Sequence, residues 1–386
     1  MPRFRLAFLL SFVAGALLAT ACGNLLGSLP EGVVDAGETL GDDAGLPDMS
    51  DAGDAGISPD AGHFDAGYTA DGGPFTWSVM PLDLTYRHVR SVSGLAANDV
   101  YALTSVSSSS FGKLLHYDGN SQGTWVPLLD ITGGDLVAVK ALPARGAVAV
   151  ISNSAFYYCA GGCNDAGAYQ IDYAPMTQFR FACANATDAF ALGDEMGTLA
   201  PVLWRSDPAG WRLHARFSTL RNIYGCAVAA DGTVLVSGHG EVGVAFLDGG
   251  TRVDSVSTDN WPDSIDAWFG SMAPVGTDIF MVSGWSVVQR SPDRTASRVF
   301  LGDDLQGIAN AIGYAHPDEV FIIGDTQDES TIVRRYQGTW SVVSPWENNV
   351  DWKDLWFASQ NDIFAVGQKK NDLGGIEGGR ILHGKR

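Results

Sequence analysis

The chain has 386 residues, 46% of them hydrophobic and 10% aromatic, which is enough for one large repeat domain or two ordinary ones. Its net charge of −20 excludes nucleic acid as a partner, because a phosphate backbone needs a basic surface. It equally excludes an electrostatic hold on anionic lipid, and suits a protein kept soluble by its own charge.

At the N-terminus, Arg3 and Arg5 form a positive region, and Leu6 to Leu18 an apolar stretch too short to span a bilayer comfortably. Leu18-Ala-Thr-Ala-Cys22 follows and resembles a bacterial lipobox, with Ala19 where Leu is commoner. Residues 1–21 are therefore predicted to be a lipoprotein signal peptide, and Cys22 the residue that carries the lipid. This makes the protein exported and membrane-anchored, at the outer membrane or cell surface. Each buried methylene of an acyl chain contributes about 0.8 kcal/mol, so a multiply acylated Cys22 is a stable anchor.

Residues 22–73 read as an acidic tether. Asp-Ala-Gly recurs from residues 35, 43, 51, 54, 60 and 65, and between Gly23 and Gly73 eleven acids stand without a single Lys or Arg. Charge repulsion, glycine and a shortage of large apolar groups predict disorder. A flexible coil of that length reaches roughly 40 Å, a spacer that lifts a domain away from a membrane.

From residue 74 to 386 short apolar runs alternate with Gly, Asp, Asn and Pro, and no long helical periodicity appears, the pattern of an all-β domain. One strand recurs: an acid, an alternating apolar run, often a closing Gly. It reads Asn98-Asp-Val-Tyr-Ala-Leu103, Thr187-Asp-Ala-Phe-Ala-Leu-Gly193, Thr277-Asp-Ile-Phe-Met-Val282, Asp318-Glu-Val-Phe-Ile-Ile-Gly324 and Asn361-Asp-Ile-Phe-Ala-Val-Gly367. Weaker copies start at Arg145 and Asp231, which makes seven. A strand of small and apolar residues precedes each, such as Phe179-Arg-Phe-Ala-Cys183. A third strand follows, often with a Trp-bearing fourth, as in Lys113-Leu-Leu-His-Tyr-Asp-Gly119 before Gly123-Thr-Trp-Val-Pro127. Four strands per unit of about 43 residues is the period of a propeller blade. The acid ahead of the second strand is expected to cap a tight turn through backbone amides.

The last unit, Gly379-Arg-Ile-Leu-His-Gly-Lys-Arg386, lacks its fourth strand, and Pro74-Phe-Thr-Trp-Ser-Val-Met80 stands alone at the other end. The expected fold is thus an all-β, seven-bladed β-propeller closed by an N-terminal strand that completes the last blade. Closure spares the ring an unpaired edge and an uncovered apolar face.

These repeats, with the lipobox and the Asp-Ala-Gly run, resemble those of myxobacterial-type surface lipoproteins. That resemblance covers nearly the whole chain and implies a Kelch- or WD40-like propeller on a spacer. It implies no activity. The glycine doublet with spaced Tyr and Trp of true Kelch repeats is missing, as is the blade-ending Trp-Asp of WD40. Asp118-Gly-Asn-Ser-Gln-Gly-Thr-Trp125 misplaces the glycine of a sialidase Asp-box.

Cys159 and Cys163 bracket a Gly-rich stretch and are expected to form a disulfide in the exported setting. No second CxxC or nearby His pair completes a zinc site, and no metal or cofactor is expected. Cys183 and Cys226 lie in apolar strands and read most simply as small buried hydrophobes; their pairing stays open.

By repeat phase, the loops between blades and after the second strands converge on one face, expected to be acidic with several aromatics. Its candidate ligand-binding residues are Trp261, Trp285, Trp346, Trp352, Asp263, Glu347 and His239. Trp faces stack on sugars while carboxylates accept hydroxyl hydrogen bonds; the same residues also describe a protein interface. Packing between blades and solvated turns are the competing roles for each. No HExxH, nucleophile elbow or phosphate-cradling glycine loop is present, and no catalytic residue is assigned. The expected function is a monomeric, lipid-anchored binding module for a protein or glycan partner. The alternative is a propeller glycoside hydrolase or polysaccharide lyase acting from the same face.

Overall fold

The computed structural model describes residues 73–386 except 84, 107–111, 133, 175–176, 208–209, 221, 257–269, 285, 293–294, 302–306, 327–329, 344–348 and 372–374. Strand β1 (Thr76–Val79) comes first. Blade 1 then holds β2 (Tyr86–Ala96), β3 (Asp99–Val106), β4 (Gly112–Tyr117) and β5 (Val126–Ile131). Blade 2 holds β6 (Leu136–Leu142), β7 (Ala147–Ser152), β8 (Ala155–Cys159) and β9 (Gln170–Tyr173). In blade 3 these are β10 (Thr177–Ala184), β11 (Ala189–Glu195), β12 (Pro201–Asp207) and β13 (Gly210–Arg216). Blade 4 has β14 (Gly225–Val228), β15 (Val234–Ser237), β16 (Glu241–Ala245) and β17 (Thr251–Ser255). Blade 5 has β18 (Met272–Val275), β19 (Asp278–Ser283), β20 (Ser286–Arg290) and β21 (Ala296–Leu301). Blade 6 consists of β22 (Gly307–His316), β23 (Glu319–Thr326), β24 (Ser330–Tyr336) and β25 (Thr339–Val343). Blade 7 consists of β26 (Val350–Ser359), β27 (Asp362–Lys370) and β28 (Ile376–Lys385), with β1 as its fourth strand.

Each sheet is an antiparallel meander, and the innermost strands β2, β6, β10, β14, β18, β22 and β26 each touch the next, β26 returning to β2. The fold is a seven-bladed β-propeller. Its apolar residues do not form one core. They form seven clusters, each shared by two neighbouring blades: Tyr117, Trp125 and Phe364 join blades 1 and 7, while Phe156, Phe179 and Trp211 join blades 2 and 3. The Phe156 and Trp211 rings stack with centroids 4.0 Å apart, an arrangement that adds to simple burial.

The recurring acid does something other than cap its turn. It reaches across the sheet to the third strand in five blades. Asp99 bonds His116 at 2.8 Å, Asp188 bonds Arg205 at 3.0 Å, and Gln289 donates to Asp278 at 2.5 Å. Glu319 pairs with Arg334 at 2.5 Å, and Asp362 with His383. In every case the third-strand partner lies directly opposite the aromatic two residues beyond the acid: Tyr101, Phe190, Phe280, Phe321 or Phe364. Strand alternation puts acid and aromatic on one face, so a long side chain opposite the ring covers it and touches the carboxylate. His116 stacks on Tyr101 at 4.8 Å and His383 on Phe364 at 4.1 Å. Turn capping falls to other groups where it occurs, such as Asn185, whose side-chain oxygen accepts from the Thr187 and Asp188 amides. Blade 4 is the exception, where Asp231 does accept from the Thr233 amide at 2.9 Å.

The small residues of the innermost strands also do more than save space. Each such strand is a sheet edge with unpaired amides, and a neighbouring blade supplies partners. Ser93 accepts from the Ala141 amide at 2.9 Å, Ser271 from Ile312 at 3.2 Å, and Asp354 from Val92 at 3.2 Å.

Blade 7 carries the junction. β1 pairs antiparallel with β28, Thr76 opposite Lys385 and Val79 opposite Leu382. Arg386 lies over the Phe75 ring at 4.1 Å, donates to the carbonyl of Gly73 at 3.0 Å, and pairs with the fully buried Glu319 of blade 6.

Two disulfides are present among the described residues. Cys159 and Cys163 close a short loop of blade 2. Cys183 and Cys226, whose pairing the sequence left open, are bonded to each other and join the innermost strands of blades 3 and 4. They lie 43 residues apart, a crosslink whose loop closure is worth about 4 kcal/mol in the chain-entropy account.

Deleting residues 74–82 should lower the melting temperature of the whole domain by ten degrees or more, on the order of several kcal/mol. Deleting residues 28–70 should leave it nearly unchanged; equal, mild effects in a thermal melt would contradict closure through β1. Asp188 gives a second test. Burial pushes its carboxyl up, but hydrogen bonds from Arg205 and Thr187 and the charges of Arg205 and Arg145 outweigh it and hold the group below its ordinary value. Its stabilisation is thus complete above the unfolded carboxylate pKa of about 3.9 and is lost as pH falls through the lower folded value. Asp188→Asn should cost about 1–3 kcal/mol at neutral pH, with the gap to wild type closing below that range in urea titrations.

Candidate functional site

The innermost strands begin on the face that receives the links between blades and the connections from second to third strands. Near that end, five of them slip by one residue. The extra residue is Arg90 in blade 1, Arg180 in blade 3, Asn310 in blade 6 and Lys353 in blade 7, with Val137 in blade 2; blade 1 slips a second time there, at Arg87. The first four occupy one register position. Each is inserted between the partner of the fifth and the partner of the sixth residue of the second-strand motif counted from the acid, opposite Leu103–Thr104, Leu192–Gly193, Ile323–Gly324 and Val366–Gly367. A β-bulge leaves its extra residue outside the ladder and re-aims it. Here it places three cations and an amide at one level around the axis.

In blades 3 and 7 the closing glycine of the second-strand motif makes room for the bulge. A Cβ on Gly193 would stand 2.3 Å from the carbonyl oxygen of Gln178, and one on Gly367 2.5 Å from that of Asp351. Backbone approach that close requires glycine. Blade 1 has Thr104 there instead, its hydroxyl donating to the His88 carbonyl at 2.9 Å.

Arg90 is exposed and makes one long contact, to the Leu136 carbonyl at 3.5 Å. Arg87, three positions before it in sequence, is exposed as well. Arg180 keeps 51% of its side chain exposed while pairing with Asp194 at 3.0 Å. Burial pushes the Asp194 carboxyl up, against the pull of Arg180. Lys353 meets Asp351 at 2.7 Å. Asp351 is the hub of a network over three blades: it accepts from Asn310 at 3.1 Å and Gln368 at 2.9 Å and lies 3.5 Å from Lys370, while Gln368 bonds His88 of blade 1. One turn of the pleat further along, Asp354 accepts from the Ser91 hydroxyl at 2.7 Å and lies 3.9 Å from Lys140, linking blades 7, 1 and 2. The carboxylates here hold cations in place; the cations are what reaches solvent. Such a surface can bind oxyanions through charge-assisted hydrogen bonds.

The expected candidates fare differently. Trp352 is 1% exposed, packed into the cluster between blades 6 and 7, and cannot stack on a ligand. Its strand position explains this: it precedes the bulge on the side facing the neighbouring blade. His239 is exposed in the turn from β15 to β16, on the same face as the bulges. Cys22, Trp261, Asp263, Trp285, Trp346 and Glu347 lie outside the described residues. The loop acids behind the expectation of an acidic face, Asp263 and Glu347 among them, lie outside the described residues; at the bulge level the solvent-facing groups are cationic. The bulge residues were absent from the sequence candidates, although the closing glycine was a visible signal for them. No group of three or more His, Cys, Asp or Glu side chains suited to a metal occurs among the described residues.

No protein-family model matches the sequence, and no curated protein matches it. Solved structures do. A streptogramin B lyase aligns with a TM-score of 0.59 at 9% identity, over 81% of this chain and 98% of that one. Virginiamycin B lyase from Staphylococcus aureus gives 0.59 at 11%, over 81% and 99%. YCF48 from Cyanidioschyzon merolae gives 0.58 at 12%, over 80% and 98%. At these identities the likeness is one of fold, and function has to be argued from the site.

Replacing Gly367 by Ala should cost about 1–3 kcal/mol, since the backbone of Asp351 and Trp352 must move. Gly161→Ala serves as the comparison, because a Cβ there meets nothing within 4 Å; its own cost comes only from a left-handed backbone, φ 128°. Equal urea midpoints for Gly367→Ala and wild type would show that the bulge does not depend on that glycine.

Proposed function

We propose that this protein is an exported interaction module: a signal peptide (1–21), a lipid on Cys22, an acidic tether (22–73), and a propeller (74–386) that binds a protein or glycan partner. The propeller fold is compatible with such a role. The observation that carries the binding reading is the bulge level, where Arg90, Arg180, Asn310 and Lys353 repeat in register on one face. Repeats that serve only packing present apolar or small residues at equivalent positions. These present long polar ones to solvent.

A glycoside hydrolase or lyase needs a pair of carboxylates, or a carboxylate and a base, facing the scissile bond. The carboxylates described on the innermost strands, Asp351 and Asp354, are each committed to cations and hydrogen-bond donors. That favours binding over turnover. No helix among the described residues is long and apolar enough to cross a membrane; anchoring in this reading rests on Cys22 and its lipobox.

Two experiments test it. Radiolabelled palmitate should enter wild type and be absent from Cys22→Ser; equal labelling would remove the lipid anchor. A glycan array and hydrolysis screen on the full chain should find binding without cleavage, and turnover of any glycan would replace the module by an enzyme.

A further inference from the structure

The bulge level is an anomaly of charge. The chain as a whole carries −20, yet at this register position the residues that the inner strands of blades 1, 3 and 7 push out of their ladders are Arg90, Arg180 and Lys353. Among the described residues Arg90 has no carboxylate within ion-pair distance, and Arg180 and Lys353 each share one that is itself 14% or 11% exposed. A buried carboxylate beneath an exposed cation orients it without covering its outer hydrogens. Arg keeps donors free for a planar oxyanion after one such contact, because its fork has five.

We propose that this level binds an acidic polysaccharide, one whose sugars carry carboxylate or sulfate groups, with Arg90, Arg180 and Lys353 as its charge contacts. The proposal rests on the binding-module reading above and names its ligand class. The cations stand on different blades around the axis, so they suit charges spaced along a chain better than one compact anion. A protein partner is anchored by exposed aromatic and aliphatic side chains near the centre of the interface. Among the described residues the exposed large apolar side chains mostly lie off this level: Val79, Val126, Ile171, Tyr173 and Val342 are on outermost strands, Phe246 and Leu247 follow the third strand of blade 4 on the opposite face, and Met196 and Leu199, in one loop of blade 3, share the bulge face. The molecule's overall negative charge repels a polyanion at long range. Binding must therefore be local and made by these few contacts, and salt weakens it as their counterions are no longer released.

The test is calorimetric titration of the full chain with four probes: hexagalacturonate, a sulfated dextran oligomer, unsulfated dextran and hexaglutamate, at about 50 and about 200 mM salt. Binding of at least one acidic oligosaccharide is expected, weaker at the higher salt, with none of dextran. Arg90→Gln, Arg180→Gln and Lys353→Gln should each weaken it about tenfold, the loss of one charge-assisted hydrogen bond. Arg212→Gln, on the outermost strand of blade 3 with 62% of its side chain exposed, should leave it unchanged. Unchanged thermal melts keep each variant interpretable. The proposal is overturned if neither acidic oligosaccharide binds, if dextran or hexaglutamate binds as tightly, or if Arg212→Gln weakens binding as much as the bulge variants. A neutral glycan captured on the array while both acidic oligomers fail sinks this proposal and leaves the module reading standing. Cleavage of a glycan by the same samples sinks the module reading.

Discussion

No blade of this ring owns its core. Every apolar cluster is shared between two sheets, so a gap at any interface exposes two faces at once, each with several large side chains at about 25 cal/mol per Å². The ring is stable only when the first and last blades meet. Blade 7 answers that constraint with strands from both ends of the described chain, and Arg386 ties them to blade 6 through the buried Glu319. Burying that carboxylate would be costly alone; between Arg334 and Arg386 it becomes a contact that forms only when neighbouring blades are in place.

Within a blade, the acid, aromatic and third-strand partner lock the outer end of the second strand to the third. Blades 2 and 4 lack the triplet, having Gly146 and Thr233 near the acid position and Val148 and Leu235 near the aromatic one. These same two blades hold the cysteines that the other five do not, apart from Cys183. One disulfide closes a loop of blade 2, and the other fastens blade 4 to blade 3. Covalent links thus fall where the recurrent polar lock is absent, which is consistent with an exported, oxidising setting.

The site grows out of the same backbone logic. In blades 3, 6 and 7 a glycine near the end of the second strand stands opposite a bulge in the first, and the bulge leaves one residue outside the ladder. Because its side chain is not needed for packing, that position is free to carry function.

Periodicity alone determined the architecture. A strand motif recurring seven times at blade spacing, a last unit short of one strand and a Trp-bearing strand left over near Phe75 are statements about order along the chain, which repeats preserve. The Cys159–Cys163 link was legible for the same local reason, its two cysteines being only four residues apart. The site was not legible. Trp352 looks like a loop aromatic in sequence, yet lies in an interface because a bulge one residue later reverses which side faces the neighbour. The acids before the second strands look like turn caps; only a third strand folded alongside supplies the His116, Arg205 or His383 that takes them. Cys183 and Cys226 pair because adjacent blades bring two innermost strands together. Sequence carries what neighbours along the chain decide; which cysteines pair, and which polar side chains join one blade to the next, depends on residues about 40 or more positions away, and only the folded ring sets those.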